Sequence, residues 1–489
     1  MTRRKAVLAS ALLLGVGAGL AYLRYRMKAP NVLRVGYPFA VLRQDQKLLD
    51  PDNTEFAYQY YLLENLAIGL VRDSSQSPSG YGPGLAESWE RLSPTRWAFH
   101  LRPALTWSDG TPIKPADLAA HVESLSREKR RHVVYLKKLR RATVEDRSLI
   151  LEFSVPVNDG LIHELSLADA ALLHPDNRAK DWRVTSGAFS VDSYEPGKRL
   201  VLRRNAHFPG ESGYPERVEL VNFTMDTIGD FFDSVDVDLL KLPIPVFRSP
   251  IPKLLSRAPQ VSRGYPTWIY YLYFNSKKAL WREARARREF ALIVQRSLDG
   301  FAYSSLAREC QLIPKGYSGR LDNDCTPKAI ETADLARQRV KINLLPAFTD
   351  AAPVLDALKT GFGKAGVALD IGYARDLDAS KDDADAQMSQ FAGNQHDAMG
   401  SWQFMFSPDQ GDLRYFRKEV KPLFDRIIAA EEKAKRETEI RALHEHVLEE
   451  TYAVPLFIES DQIAASKRVD LSRLNPFDMR LRFYEVSWK

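Results

Sequence analysis

At 489 residues the chain is too long for a single core of about 100–200 residues, so two or three lobes are expected. Hydrophobic residues at 45% and charged residues at 27% exclude a disordered or fibrous chain. The net charge of +6 comes from residues 1–28, where Arg3, Arg4, Lys5, Arg24, Arg26 and Lys28 meet no acid; the remainder balances at 63 basic against 63 acidic, too little surplus for a nucleic-acid partner.

Arg3-Arg4-Lys5 precedes eighteen uncharged residues, Ala6 to Leu23. As a helix that run rises about 27 Å, just short of the ~30 Å hydrocarbon core. Residues 1–28 are therefore expected to be a signal peptide or an N-terminal membrane anchor, and both imply export. Gly19-x-Ala21 offers a small-residue cleavage pattern, whereas Arg24, Arg26 and Lys28 just beyond it favour retention through a tether formed by residues 6–23. Thr2-Arg3-Arg4 before a glycine-diluted apolar run echoes a twin-arginine signal.

A strand is predicted over Val32 to Val41, then an amphipathic helix over Phe56 to Val71 on Tyr60, Leu63, Leu66, Ala67 and Leu70. Asp73 to Gly84, rich in Ser, Pro and Gly, is expected to be a loop. Trp97 to Arg102 alternates as a half-buried strand with Trp97, Phe99 and Leu101 inward. After the turn Ser108 to Pro112, Lys114-Pro115 starts a helix on Leu118, Ala119, Val122 and Leu125, with proline placed where its missing N–H is harmless. Arg127 to Arg141 carries eight basic residues and one acid, expected as one helix or two; it forms a solvated face or a docking patch for anionic lipid or an acidic partner.

Phe189 to Tyr194 and Arg199 to Arg204 pair through the Glu195-Pro196-Gly197-Lys198 turn. Aromatic residues gather at Trp268, Tyr270, Tyr271, Tyr273 and Phe274, and again at Trp402, Phe404 and Phe406; alternation predicts that one set turns away from the core toward a ligand crevice, unless both are plain core. Cys310 and Cys325 are the only cysteines and flank Pro314, Gly316 and Gly319. Two thiols cannot complete a four-ligand zinc site, so no metal is expected; in an oxidising compartment they close a disulfide loop. Val340 to Leu345, a helix over Ala352 to Lys364 and Val367 to Ile371 predict a parallel strand–helix–strand unit. Helices over Pro422 to Arg436 and Glu437 to Thr451 precede the last strand pair. The layout is mixed α/β in several lobes.

No catalytic constellation assembles. Gly361-x-Gly363-x-x-Gly366 has the letters of a dinucleotide fingerprint, but its glycines end a helix and precede a strand, where phosphate would need the reverse order. Ser126-x-x-Lys129 and Lys359-Thr360-Gly361 lack the middle motif of the serine acyltransferases. His444 and His446, two apart on a helix, leave its axis in different directions. No enzyme activity and no cofactor are expected.

Leu85-Ala86-Glu87-Ser88-Trp89, Trp97-x-Phe99-His100-Leu101-Arg102 and Trp107-Ser108-Asp109-Gly110-Thr111-Pro112 resemble segments of the extracytoplasmic solute-binding proteins of peptide and nickel ABC importers. Leu49-Asp50-Pro51, Gly69-Leu70-Val71, Ser186-Gly187-Ala188-Phe189, Tyr194-Glu195-Pro196-Gly197, Arg203-Arg204-Asn205, Tyr271-Leu272-Tyr273-Phe274-Asn275, Arg285-Ala286-Arg287 and Val454-Pro455-Leu456 continue the match in order, over about residues 31–489. The resemblance implies a multi-lobed periplasmic-binding-protein fold of the class II, peptide-binding type. Its first domain would be residues 31–67 with 184–268 and 471–489, its inserted second domain 68–183, and its third 269–470. A small ligand, an oligopeptide in the first instance, would be trapped between the first and third domains by a monomer and handed to a membrane permease.

The same resemblance places Glu55, Phe56 and Ala57 beside the ligand backbone and Trp402 in the cleft, with Tyr271 of the aromatic cluster nearby. The family's ammonium-binding aspartate falls at Met405. Either Asp409 or Asp412 substitutes from the next turn, or the ligand lacks a free amine, as an opine, sugar or metal chelate would. An anchored sensor reusing the fold is the remaining alternative.

Overall fold

Apolar residues spaced two apart set the strands, and helices form where the spacing changes to three and four. The computed structural model describes residues 31–39, 49, 57–74, 77, 79–127, 134–176, 181–209, 213–230, 237–242, 245–322, 335–374, 383–392, 398–408, 411–475 and 480–489. The leader, including residues 6–23, therefore lies outside the described residues.

Strand β1 (Val32–Tyr37) buries Leu33, Val35 and Tyr37. Helix α1 (Ala57–Leu66) is shorter than the predicted Phe56–Val71. Its end is set by strand pairing: the Gly84 and Ala86 N–H groups donate to the Leu70 carbonyl, which draws residues 69–71 into extended backbone. The expected loop beyond joins a short hairpin of β2 (Val71–Asp73) and β3 (Tyr81–Pro83), which takes in only Asp73 and Tyr81–Pro83 of it. Glycine is required at 84, since a Cβ there would lie 2.4 Å from the Gly69 carbonyl oxygen.

Strands β4 (Ala86–Ser93) and β5 (Arg96–Leu101), helix α2 (Pro115–Arg127), and strands β6 (Leu139–Glu145) and β7 (Ser148–Phe153) form a separate four-stranded sheet in the order β4-β5-β7-β6. Trp97, Phe99 and Leu101 face its core with Leu118, Val122 and Leu125 of α2. The basic stretch is only partly the helical run expected: residues 128–133 lie outside the described residues, and Leu136–Lys138 forms a 3-10 turn. Arg127 ends α2, whereas Arg140 and Arg141 lie on the edge strand β6, where Arg141 pairs with Glu152 at 3.2 Å. A register shift between Leu139 and Arg141 lets both arginines stay exposed while Ala142 is buried against β7. Helix α3 (Gly160–Ser166) follows.

The second sheet is long. Its near half takes the hairpin β8 (Phe189–Glu195) and β9 (Arg199–Arg204), then β10 (Arg217–Asn222) and β11 (Leu239–Lys241), which flank β1 in parallel. Its far half takes β12 (Gln260–Phe274), the short β13 (Ala307–Arg308), β14 (Arg339–Leu344), β15 (Ala368–Tyr373), β16 (Ala386–Ala392) and β17 (Ala453–Ala465). The order β15-β14-β16-β12-β17-β11-β1-β10-β9-β8 is continuous, with β13 on β17. β14 and β15 are parallel across the predicted helix, here α5 once α4 (Ala284–Ser297) is counted; α5 spans Ala352–Lys364.

Both faces of the far half are covered. Helices α4 and α5 pack with Tyr270, Leu272 and Phe274 on one face. On the other, α6 (Met399–Met405), α7 (Arg417–Ala429) and α8 (Lys433–Glu449) pack with Ile269, Tyr271 and Tyr273. Tyr270, Tyr271, Tyr273 and Phe274 are all buried, because this end of the strand is sandwiched, whereas Trp268 is half-buried and Tyr265, earlier on the strand, is 52% exposed. Helix α7 also begins five residues before the predicted Pro422, which sits inside it: a 3-10 turn over Arg414–Phe416 leads directly into the helix and fixes its start. The break then falls at 430–432 rather than after Arg436. The near half and the four-stranded unit share one apolar core, from Leu33 through Leu118 to Val486.

Candidate ligand-binding site

Helix α6 places the residues that the sequence singles out. Trp402 is 1% exposed and Met405 is sealed from solvent, both in the core beneath α7 and α8. The Trp402 ring lies 5.5 Å from the His444 ring and 6.4 Å from Phe406, and its indole N–H has no hydrogen-bond acceptor. A buried indole normally finds a partner. Gly400, two residues earlier, abuts His163 of α3: a Cβ at 400 would stand 3.2 Å from its Nε2. Helix α6 thus forms the seam between the far half of the sheet and the part of the chain carrying α3.

His444 is a satisfied core residue. Its Nε2 accepts the Leu312 N–H at 3.2 Å, and its Nδ1 contacts the Gly319 carbonyl at 3.1 Å, which fixes the neutral tautomer with the proton on Nδ1. Burial pulls its pKa down to about 3, and the Arg320 and Arg441 charges add to the effect.

Following α6, the Leu413 N–H donates to the Met405 carbonyl at 2.8 Å and the Gly411 N–H to Ser407 at 2.9 Å. This tight turn carries Asp412 to Tyr271, whose hydroxyl donates to the carboxylate at 2.5 Å. Asp412 is 9% exposed. Burial and the adjacent carboxylate push the Tyr271 phenol well above its ordinary pKa, so it stays a donor. The structure therefore brings together Tyr271, Asp412, Met405 and Trp402 on adjoining elements. Ala57 begins α1; Glu55, Phe56 and Asp409 lie outside the described residues. Cys310 is disulfide-bonded, and Cys325, its expected partner, also lies outside them.

Strands β12 and β17 pass from one half of the sheet to the other. Their antiparallel pairing shifts register three times, between Arg263 and Pro266, Pro266 and Trp268, and Tyr270 and Tyr271. Two carboxylates beside these shifts escaped sequence reasoning. Glu459 accepts the Val246 N–H at 3.0 Å, the Tyr270 hydroxyl at 2.7 Å and the Ser305 hydroxyl; burial raises its pKa. Asp461 pairs with Lys241 at 2.9 Å, both side chains 2% exposed, and the ammonium stands 4.8 Å from the Tyr61 ring centre. The available signal was two acids spaced by one residue inside an otherwise apolar strand, the arrangement that a buried, paired charge needs.

A separate shallow depression is lined by Glu64, Arg72, Asp73, Ser166, Arg482 and Tyr484 among others, and by none of the Trp402 group. Burial alone would raise the Asp73 carboxyl, yet Arg480 at 3.0 Å and Arg482 at 3.4 Å hold it below the usual carboxylate range. These charges are committed to one another and fasten the C-terminal segment to α1 and β2. Among the described residues no group of three His, Cys, Asp or Glu is placed to hold a metal ion, and no helix is long and apolar enough to cross a membrane.

Residues 80–298 match the family described as bacterial extracellular solute-binding proteins, family 5. That match covers less than half of the chain. The periplasmic oligopeptide-binding protein OppA of Salmonella typhimurium is 25% identical over 287 residues, covering 51% of each chain, so that match spans about half of OppA. The probable D,D-dipeptide-binding periplasmic protein DdpA of Escherichia coli is 22% identical over 478 residues, covering 88% of this chain and 90% of DdpA. The structure of NikA from Brucella suis in complex with Fe(III)-EDTA superposes with a TM-score of 0.76 at 16% identity, over 94% of this chain and 100% of that one. The fold is that of the family 5 periplasmic binding proteins. Trp402 and Tyr271 lie in the core under α7 and α8 while Gly400 of α6 meets α3, and the register shifts lie on the strands joining the two halves of the sheet.

Proposed function

We propose that this chain is the solute-binding component of an ABC import system. It closes two lobes over a small ligand outside the cytoplasm and presents the closed form to a membrane permease. The lobes are residues 31–67 with 184–268 and 471–489, carrying an insert at 68–183, and a third domain at 269–470. The observation that carries this reading is the continuous sheet, in which, among the described strands, β12 and β17 run between the halves and shift register three times at the crossing, giving closure a place to bend. Catalysis forms no part of this role.

The ligand class is an oligopeptide, in keeping with the OppA and DdpA relatives. Trp402 supplies an indole N–H and Tyr271 positions the Asp412 carboxylate, with Glu55, Phe56, Ala57, Met405 and Asp409 completing the assigned wall. A second reading, a ligand without a free amine, is favoured by one observation: the apolar Met405 occupies the counter-charge position, and Asp412 already accepts a phenol. Native mass spectrometry of the freshly purified full chain separates the two. A co-purified peptide is expected, with tryptophan fluorescence that responds to peptides in the parent protein and is blunted in Trp402→Phe. Exclusive recovery of an opine, sugar or metal chelate, with no response across a peptide library, would overturn the peptide assignment. A protein that binds none of these would overturn the transport reading.

A further inference from the structure

Helix α7 ends without the means to end itself. The last carbonyls of any helix lack intrahelical donors, and a glycine in left-handed conformation just beyond commonly supplies the closing N–H groups. Here the chain continues Ala430-Glu431-Glu432, and Ala430 is extended at φ −72° and ψ 110°, so no local turn folds back over the helix end.

The missing donor comes from another part of the molecule. The Asn158 side-chain amide nitrogen lies 3.0 Å from the Ile427 carbonyl, 3.2 Å from Ile428 and 2.8 Å from Ala430. Its Oδ1 accepts the Gly160 N–H at 3.0 Å, which orients the amide and starts α3. Asn158 is 2% exposed, and Ile427 and Ala430 are buried as well. Around this contact Ile428 packs against both the near core and the far core, Arg91 meets Glu431 at 3.5 Å at the rim, and Gly400 abuts His163. One side chain of the inserted domain thus caps a helix of the third.

We propose that Asn158 is a latch that holds the third domain against the inserted domain, so that the insert sets how readily the lobes part. When they part, the three carbonyls and the amide exchange each other for water. The latch rests on the division into inserted and third domains but on no ligand, so its failure would leave solute binding standing.

The test is hydrogen exchange on the full, unliganded chain. Helix α6 is the reporter, because it lies on the seam through Gly400 and makes none of the Asn158 hydrogen bonds; residues 269–274 of β12 are the internal control for global stability. Asn158→Ala removes all four hydrogen bonds. Asn158→Asp keeps an acceptor for the Gly160 N–H but cannot donate to the carbonyls and turns a negative charge on them. Exchange in α6 is expected to accelerate about tenfold in Asn158→Ala, the scale of one net hydrogen bond, and further in Asn158→Asp, while the control segment keeps its rate. Unchanged α6 exchange, or acceleration shared equally by 269–274, would overturn the latch in favour of no role or of plain structural support. Should Asn158→Ala fail to fold, Asn158→Asp carries the same comparison.

Discussion

His444 shows how a polar residue becomes part of a core. Its two ring nitrogens are matched to one donor and one acceptor, and protonation would turn the acceptor Nε2 against the Leu312 N–H. With a folded pKa of about 3 against an ordinary 6.5, the unfolded chain binds the proton first. Stability therefore rises with pH between about 3 and 6.5 and falls as pH drops through that window. In His444→Gln, whose amide can replace both hydrogen bonds without titrating, the denaturation free energy should lose part of that slope, up to about 1.4 kcal/mol per pH unit between pH 6 and 4. Parallel pH profiles for the two proteins would show that the imidazole is not held neutral. The letters of His444 and His446 carried none of this, since a histidine's role depends on what the fold sets against each nitrogen.

At the scale of elements, the glycines at 361, 363 and 366 separate into three physical roles. A Cβ at 361 would fall 1.7 Å from the Ser297 hydroxyl oxygen and 2.9 Å from its Cα, so glycine lets α4 and α5 approach. Position 363 faces open space, and Gly366 takes φ +73° where the helix gives way to β15. Gly361→Ala should cost about 1–3 kcal/mol by overpacking, whereas Gly363→Ala should gain about 0.5–1 kcal/mol from helix propensity. Urea unfolding of the two variants measures both; equal effects would contradict the helix contact. The strand–helix–strand order around these glycines was legible because it is written in local periodicity. The ends of α1 and α7 were not, since strand pairing at Leu70 and the 3-10 turn before Arg417 decided them.

For the whole molecule, the separation of cores predicts how it melts. The near half and the insert share one apolar core, while the far half has two of its own, one on each face of the sheet. Cys310 lies in the far half, and with the expected Cys325 as its partner the closed loop would contribute about 3 kcal/mol by chain entropy. Calorimetry is expected to resolve two transitions, only one of which moves to lower temperature on reduction. A single transition, or an equal shift of both, would mean that the halves unfold as one unit.

The mixed α/β class, the likeness to periplasmic binding proteins, the strand runs and the aromatic segments followed from the sequence alone, because period, turn chemistry and an ordered string of motifs are local properties of a chain. Tertiary structure decided the rest. It sealed both faces of residues 269–274 of β12, where alternation by itself suggested one exposed set, because helices from distant parts of the chain cover each side. It paired Lys241 with Asp461 and brought Asp412 to Tyr271, contacts 220 and 141 residues apart. It also supplied the cap of α7 from Asn158, 272 residues before Ala430. Hydrogen bonds and ion pairs act over a few ångströms of space whatever their separation along the chain, so only the folded arrangement could assign them.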